Sequence, residues 1–304
     1  MIKNKLIVLL FVFFVPHATF SYQFHFLHEI KANLDMLKNR FFPENTYKEL
    51  CKENLEIVSD HTLGDVIGMK DVKKELKDII KSLMNLQKNP HLIKEKISQA
   101  FLVHGWRRSG KTFLIEGFIG SLQKESKNNI KALNIPTTII QKYGITAVLK
   151  YIKYHTPAII YIDEVNLIGL KRNTNSTMFS DFLTALTALL DNPEKPIIIF
   201  CAMNEIENLP CLGNLGKEIH CEYPNFEERR IVIERKFKKF NINPTEFDLD
   251  FLAHACKDAP YEKINYILYT ALMVAGKQGV PLSQNILEKI IQEECFNIIR
   301  TPKD

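Results

Sequence analysis

Gly105, Trp106, Arg107, Arg108, Ser109, Gly110, Lys111 and Thr112 follow one another in the order G-x-x-x-x-G-K-T. The chemistry of that spacing is anion binding, because it is the pattern of a phosphate-binding loop. The glycines let the backbone fold back until its N–H groups point inward at a phosphate. Lys111 would reach the β- and γ-phosphates of a nucleotide, and the Thr112 hydroxyl would hold Mg²⁺. Phe113 lies in the first turn of the helix that follows, whose positive dipole end would meet the same anion. Ordinary glycine usage yields this pattern by chance in on the order of one in a hundred chains of this size, so the surroundings carry part of the weight.

A second set of groups stands downstream. An apolar run, Pro157-Ala158-Ile159-Ile160-Tyr161-Ile162, leads directly into Asp163 and Glu164. A strand buried on both faces reads as such a run, and in an open α/β sheet ligands bind beyond the carboxyl ends of the strands. Asp163 would orient the Mg²⁺ shell, and Glu164 would polarise an attacking water. Beside a phosphate loop, the bland alternative of two solvated acids at a strand end loses most of its weight. A further apolar strand, Pro196 to Cys201, is followed by Ala202, Met203 and Asn204, which puts a polar side chain beside the two acids.

These residues need elements to position them. Ala100 to Val103 reads as the strand before the phosphate loop, with a helix after it. Strands at Ile130 to Ile135 and Glu218 to Tyr223 and helices at Thr146 to Tyr154 and Asp181 to Leu190 complete an alternating pattern. From Glu227 onward the pattern is all helical, over 227–240, 249–257, 261–275 and 283–296. The fold class is therefore α/β, a P-loop NTPase parallel sheet with flanking helices, followed by a small all-α domain.

Hydrophobic residues make up 46% and charged residues 25% of 304, as in ordinary globular chains. The net charge of +5 comes mostly from lysines that alternate with acids, as in Lys70-Asp71-Val72-Lys73-Lys74-Glu75, so solvated helix faces and no nucleic-acid partner are expected. Six scattered cysteines without a C-x-x-C pair point to neither a zinc site nor a disulfide framework. At the N-terminus, two lysines precede the wholly apolar Leu6 to Val15, and Pro16 breaks the run. Residues 1–21 read as a signal peptide, with an N-terminal anchor as the alternative. The protein is then exported, membrane-anchored or organellar, with membrane association through the N-terminus under the anchor reading. Residues 22–62 read as a helical spacer, because Phe24, Leu27, Ile30, Leu34 and Leu37 recur at helical spacing.

Taken together, Leu63 to Cys295 resembles an AAA+ ATPase, and within that group the AAA module of the membrane-bound FtsH-type proteases. The family opens its module with a "DVAG" turn and a lysine/glutamate helix, which match Asp65-Val66-Ile67-Gly68 and Lys70 to Leu83. The resemblance implies ATP and Mg²⁺ as ligands and makes Val66 and Ile67 adenine-pocket candidates. It makes Asn204 the residue that watches the γ-phosphate. It divides the chain into an AAA+ P-loop α/β domain at 63–224 and a helical lid at 225–304. The implied activity is ATP hydrolysis that drives remodelling or unfolding of a protein substrate.

Departures from the family carry equal weight. The family loop is usually GPPGTGKT, whereas Trp106-Arg107-Arg108-Ser109 fills the middle here. The "GRFDR" stretch that supplies trans-acting arginines matches Gly216-Lys217-Glu218-Ile219-His220, which has none. Such an arginine contributes ~10³–10⁵ in rate in related phosphoryl transfer, and lysine lacks its planar fork. The substrate-gripping "FVG" loop matches Lys142-Tyr143-Gly144. No H-E-x-x-H occurs, so protease activity of the family's kind is not expected. The alternative is a degenerate AAA module that binds ATP without efficient hydrolysis and serves as a nucleotide-dependent scaffold or accessory subunit. The implied partners are a protein substrate, with either a homo-oligomeric ring or a hetero-oligomer in which another AAA subunit donates the arginine.

Overall fold

The computed structural model describes residues 43–88, 99–127, 129–156, 158–168, 177–191, 197–204 and 216–300. The leader at 1–21 and the spacer through 42 lie outside the described residues. The chain divides into two compact units, one built from 54–137 and 152–304, the other containing the described residues 43–53 and 138–151.

The larger unit contains five strands: β1 (Gln99–His104), β2 (Lys131–Asn134), β3 (Ala158–Ile162), β4 (Ile197–Met203) and β5 (Lys217–His220). They form one parallel sheet in the order β2-β3-β4-β1-β5. Every residue of β3 and β4 is buried, which is why both read as unbroken apolar runs. His104 pairs with Met203 on one side and His220 on the other, and Ile162 pairs with Cys201. The register therefore brings the ends of β1, β3 and β4 to one edge, with the end of β4 between the other two.

Helix α2 (Lys70–Lys88) precedes the sheet, α3 (Lys111–Ser126) follows β1, and α6 (Thr177–Leu190) links β3 to β4. The core under α2 and α3 includes Leu76, Ile80, Phe101, Leu114, Phe118 and Phe200. Phe200 stacks on Phe101 and meets Phe118 edge-on, with both pairs of ring centroids 5.1 Å apart, a geometry that adds to plain burial. On α3, Gly120 has no room for a side chain, because a Cβ there would sit 1.9 Å from the His61 carbonyl oxygen.

That close approach belongs to a difference from the helical spacer. Residues 51–62 are not helical. Ile57 N donates to Ala132 O at 2.9 Å and Asn134 N to Leu55 O at 2.8 Å, so this stretch runs antiparallel beside β2. The Gln123 amide clamps it further, accepting from Ser59 N at 3.1 Å and donating to Ile57 O at 2.8 Å. Backbone groups engaged in this way are not available to a helix.

Helices α7 (Phe226–Lys239), α8 (Leu249–Ala255), α9 (Tyr261–Gln278) and α10 (Gln284–Arg300) pack around a core of their own that includes Val232, Ile233, Phe237, Leu252, Leu268 and Leu287. A capping box starts α7, with Asn225 accepting from Glu228 N and Glu228 accepting from Asn225 N, which satisfies two end donors at once. The buried Arg229 donates to the carbonyls of Ala253 and Pro224, both at 2.7 Å. Val66 belongs to the sheet core, whereas the next residue, Ile67, packs against the helical core.

In the smaller unit, α1 (Pro43–Leu50) buries Leu50, and the Lys150 ammonium lies over the Tyr47 ring at 4.8 Å. Helix α4 (Thr137–Tyr143) leads through Gly144 into α5 (Ile145–Tyr154). No described helix is long and apolar enough to cross a membrane.

Candidate functional site

The phosphate loop leaves β1 at its carboxyl end and enters α3. Gly105 has φ 140°, and a Cβ there would lie 2.1 Å from the backbone oxygen of Cys221, so only glycine fits. Gly110, at φ 96°, is the N-cap of α3 and supplies no side-chain cap. The first-turn amides of α3 thus lack a side-chain acceptor, and the dipole there favours an anion. Lys111 is 8% exposed, and its Nζ donates to the carbonyls of Gly105 and Trp106 at 2.9 and 2.8 Å. Burial holds its pKa below the ordinary lysine value, while the nearby Asp163 opposes the shift. Ser109 is buried, and its Oγ has no partner. A buried hydroxyl without a partner, uncapped amides and a buried cation are the donor set that a polyphosphate satisfies.

A cleft of about 570 Å³ opens in front of this loop. It brings together Val66, Ile67 and Arg108 through Phe113, all expected from the sequence. Phe113 packs on His61, with ring centroids 4.8 Å apart. Gly105, Trp106 and Arg107 do not line the cleft. Trp106 is 59% exposed, and Arg107 presents its carbonyl to the Tyr223 hydroxyl at 3.4 Å. The far wall was not anticipated: Val232, Arg235, Lys236 and Lys239 come from α7, and Tyr261, Glu262 and Asn265 from α9. The α7 positions recur at the spacing of one helix face, the signal that could have marked them. Arg235 donates to the Asp65 carbonyl at 3.1 Å, tying α7 to the turn that carries Val66 and Ile67. Arg108 Nε stands 3.1 Å from Glu262 Oε2.

Asp163, Glu164 and Asn204 lie at the carboxyl edge of the sheet, outside the residues that line the cleft. Asp163 and Asn204 are half-buried and Glu164 is exposed. Glu164 has φ 49°, and its amide donates to Asp163 Oδ1 at 2.9 Å. A left-handed conformation disfavours a residue with a Cβ, so the turn holds Glu164 in a conformation that costs energy. Tyr161 was missed in the sequence, where it reads as one more buried strand residue. Its hydroxyl lies 3.3 Å from Thr112 Oγ1, linking β3 to the phosphate loop. Burial raises its pKa well above the ordinary phenol value. Thr112 and Asp163 have the oxygen chemistry that Mg²⁺ takes.

Two segments differ from what the family pattern led us to expect. Lys217 lies in β5 and pairs with Glu75 at 2.5 Å, and His220 stacks on His104 with centroids 4.9 Å apart. Tyr143 ends a helix rather than standing on a loop. It is 6% exposed, and its hydroxyl donates to Glu53 Oε1 at 2.5 Å, with Lys142 on the same carboxylate.

Residues 101–218 match the family described as ATPase family associated with various cellular activities (AAA). An ATP-dependent zinc metalloprotease FtsH of Parabacteroides distasonis is 25% identical over 251 residues, 77% of this chain and 35% of that protein. Peroxisomal ATPase pex1 of Schizosaccharomyces pombe is 24% identical over 263 residues, 82% of this chain and 28% of that protein. A putative 26S proteasome regulatory subunit homolog of Methanothermobacter thermautotrophicus is 27% identical over 229 residues, 71% of this chain and 59% of that protein. The chain spans about a third of the length of the FtsH and Pex1 relatives. A crystal structure of the FIGL-1 AAA domain in complex with ADP shares the fold, with a TM-score of 0.64 at 15% identity, over 86% of this chain and 92% of that one. Residues 101–218 are an AAA domain, in a chain homologous to the AAA modules of FtsH proteins at about 25% identity over about 77% of its length.

Proposed function

We propose that this chain binds ATP with Mg²⁺ in the cleft between the phosphate loop and the C-terminal helices, and hydrolyses it to drive remodelling of a protein substrate. The observation that carries the reading is the cleft itself. Its walls unite the phosphate loop, the Val66–Ile67 turn and the α7 and α9 helices around one buried lysine. The AAA+ P-loop domain is then 63–224 and the lid 225–304. Gly105 and Gly110 shape the loop, the amides of Ser109 through Phe113 face the phosphates, and Lys111 supplies the cation. Val66 and Ile67 offer the apolar surface for the base. Thr112 and Asp163 would hold Mg²⁺, which neutralises charge developing on the phosphoryl oxygens. Glu164 orients and deprotonates water, and Asn204 helps to place it. Assembly as a ring or with an arginine-donating AAA subunit belongs to the same proposal, as does a location set by the N-terminal apolar run.

A second reading has an observation of its own. Tyr143 is buried and hydrogen-bonded to Glu53, and Lys217 is paired with Glu75. Neither is disposed to grip substrate or act in trans, which favours a nucleotide-held scaffold. The test is steady-state ATP turnover by residues 22–304 against protein concentration, beside Glu164→Gln. Turnover per chain that rises with concentration and vanishes in Glu164→Gln supports the assembling ATPase. Tight ATP binding with negligible turnover at every concentration leaves the scaffold.

A further inference from the structure

We propose that Arg108 and Glu262 form an exchange contact: the terminal phosphates of a bound nucleoside polyphosphate take Arg108 away from the Glu262 carboxylate. Phosphate count is thereby read by the loop and the lid together. The inference rests on the nucleotide reading above and adds Glu262 to that site as a positioning residue.

Four observations carry it. Arg108 sits at φ 65°, a left-handed conformation that penalises any residue with a Cβ. Among the described residues its one charged contact is Glu262, the second residue of α9, at 3.1 Å. Both residues line the cleft with Lys111 and Thr112. Both side chains are about three-fifths exposed, 61% and 63%, and exposed pairs of this kind are weak. A polyphosphate, which offers more charge and a bidentate match to guanidinium, can therefore displace the carboxylate.

The other cleft cations are placed differently. Lys111 is held by the loop carbonyls, Arg235 by those of Gly64 and Asp65, and Lys236 and Lys239 stand on the α7 wall, Lys236 over the Phe240 ring at 5.5 Å. Outside the cleft, in β5, Lys217 pairs with Glu75 and His220 stacks on His104. Arg108 thus brings an arginine from the phosphate loop itself. Once it turns to phosphate, Glu262 faces an anion without its cation, so the start of α9 is pushed from the loop. A monophosphate brings less charge to compete with the carboxylate, and the pair stays closed.

The test measures ADP and AMP binding to the full chain by calorimetry, in wild type, Glu262→Gln, Arg108→Ala and the double variant, with thermal melts to verify folding. Loss of an exposed competing pair predicts that Glu262→Gln tightens ADP roughly 2- to 5-fold and leaves AMP unchanged. Arg108→Ala weakens ADP by about tenfold, and adding Glu262→Gln to it changes nothing further. An equal gain from Glu262→Gln with and without Arg108 overturns the exchange, because it would mean simple removal of repulsion. An equal gain for AMP overturns it as well. Wild-type chain that is folded and binds no ADP would instead overturn the nucleotide reading, and the exchange with it.

Discussion

Replacing Gly105 by alanine should cost both stability and nucleotide binding. At φ 140° the new Cβ would stand 2.1 Å from the Cys221 oxygen and 3.0 Å from its carbon. Both are backbone atoms, so no side chain can swing aside. Relief requires the end of β5 to move away, which sacrifices the bond from Cys221 N to His104 O, now 2.7 Å. That bond is worth about 0.5–1.5 kcal/mol net, and holding alanine in a sparsely populated backbone region costs about 1–3 kcal/mol. The sum is roughly 2–4 kcal/mol. At about 2–4 °C per kcal/mol for a domain of this size, the melting temperature should fall by roughly 5–15 °C. The assay is a thermal melt followed by circular dichroism, with and without magnesium ATP. Binding should suffer too, because the Gly105 carbonyl that accepts from Lys111 is displaced. A variant that melts within about 1 °C of wild type and binds ATP normally would refute the close-approach reasoning.

Further expectations concern single side chains. Lys111→Ala should abolish ATP binding, since among the described residues no other buried cation lines the cleft; equal affinity in a filter-binding assay would sink the loop assignment. Glu164→Gln should trap bound ATP, detected as a complex that survives gel filtration, and unchanged turnover would count against Glu164 as base. Burial, reinforced by the facing His220 and by Lys111 and opposed by Glu218, holds the His104 pKa below its ordinary value. The unfolded chain therefore takes up this proton first, so stability is full above about pH 6.5 and declines as the pH falls below it. His104→Phe should flatten that decline in urea midpoints measured between pH 7 and 5. Tyr143→Phe removes a donor from Glu53 and should lower the denaturation midpoint; an unaltered midpoint would argue that the contact is loose.

The sheet and its phosphate loop were legible because their determinants are contiguous. Gly105 through Thr112 sit within one turn of chain, and Ile159 to Glu164 is a strand that runs straight into its acids. The central strands announced themselves by being apolar on both faces. What stayed hidden depends on partners distant in sequence. Arg235, Lys236 and Glu262 read as ordinary charged surface until α7 and α9 close the cleft. Residues 51–62 were read as part of a helical spacer whose periodicity lies at Phe24 to Leu37, but they are claimed by the free edge of β2 and by Gln123. Tyr143 matched an exposed loop by sequence, yet Glu53, far away in the chain, meets its hydroxyl. Family pattern marked the segment at Lys217 as the place to look for trans-acting arginines, but the pairing of β5 with β1 decided what it does.

That pairing gives β5 a second meaning. The carbonyl of Cys221 fills the space that any side chain at Gly105 would need, and Cys221 N–H bonds back to His104. The strand acts as a splint that sets the angle at which the phosphate loop leaves the sheet. Substitutions at Ile219 or Cys221 should therefore surface as weakened nucleotide binding in the same chain, not as failed communication with a neighbour. A strand that carries no arginine can still be indispensable to the phosphate loop of its own chain.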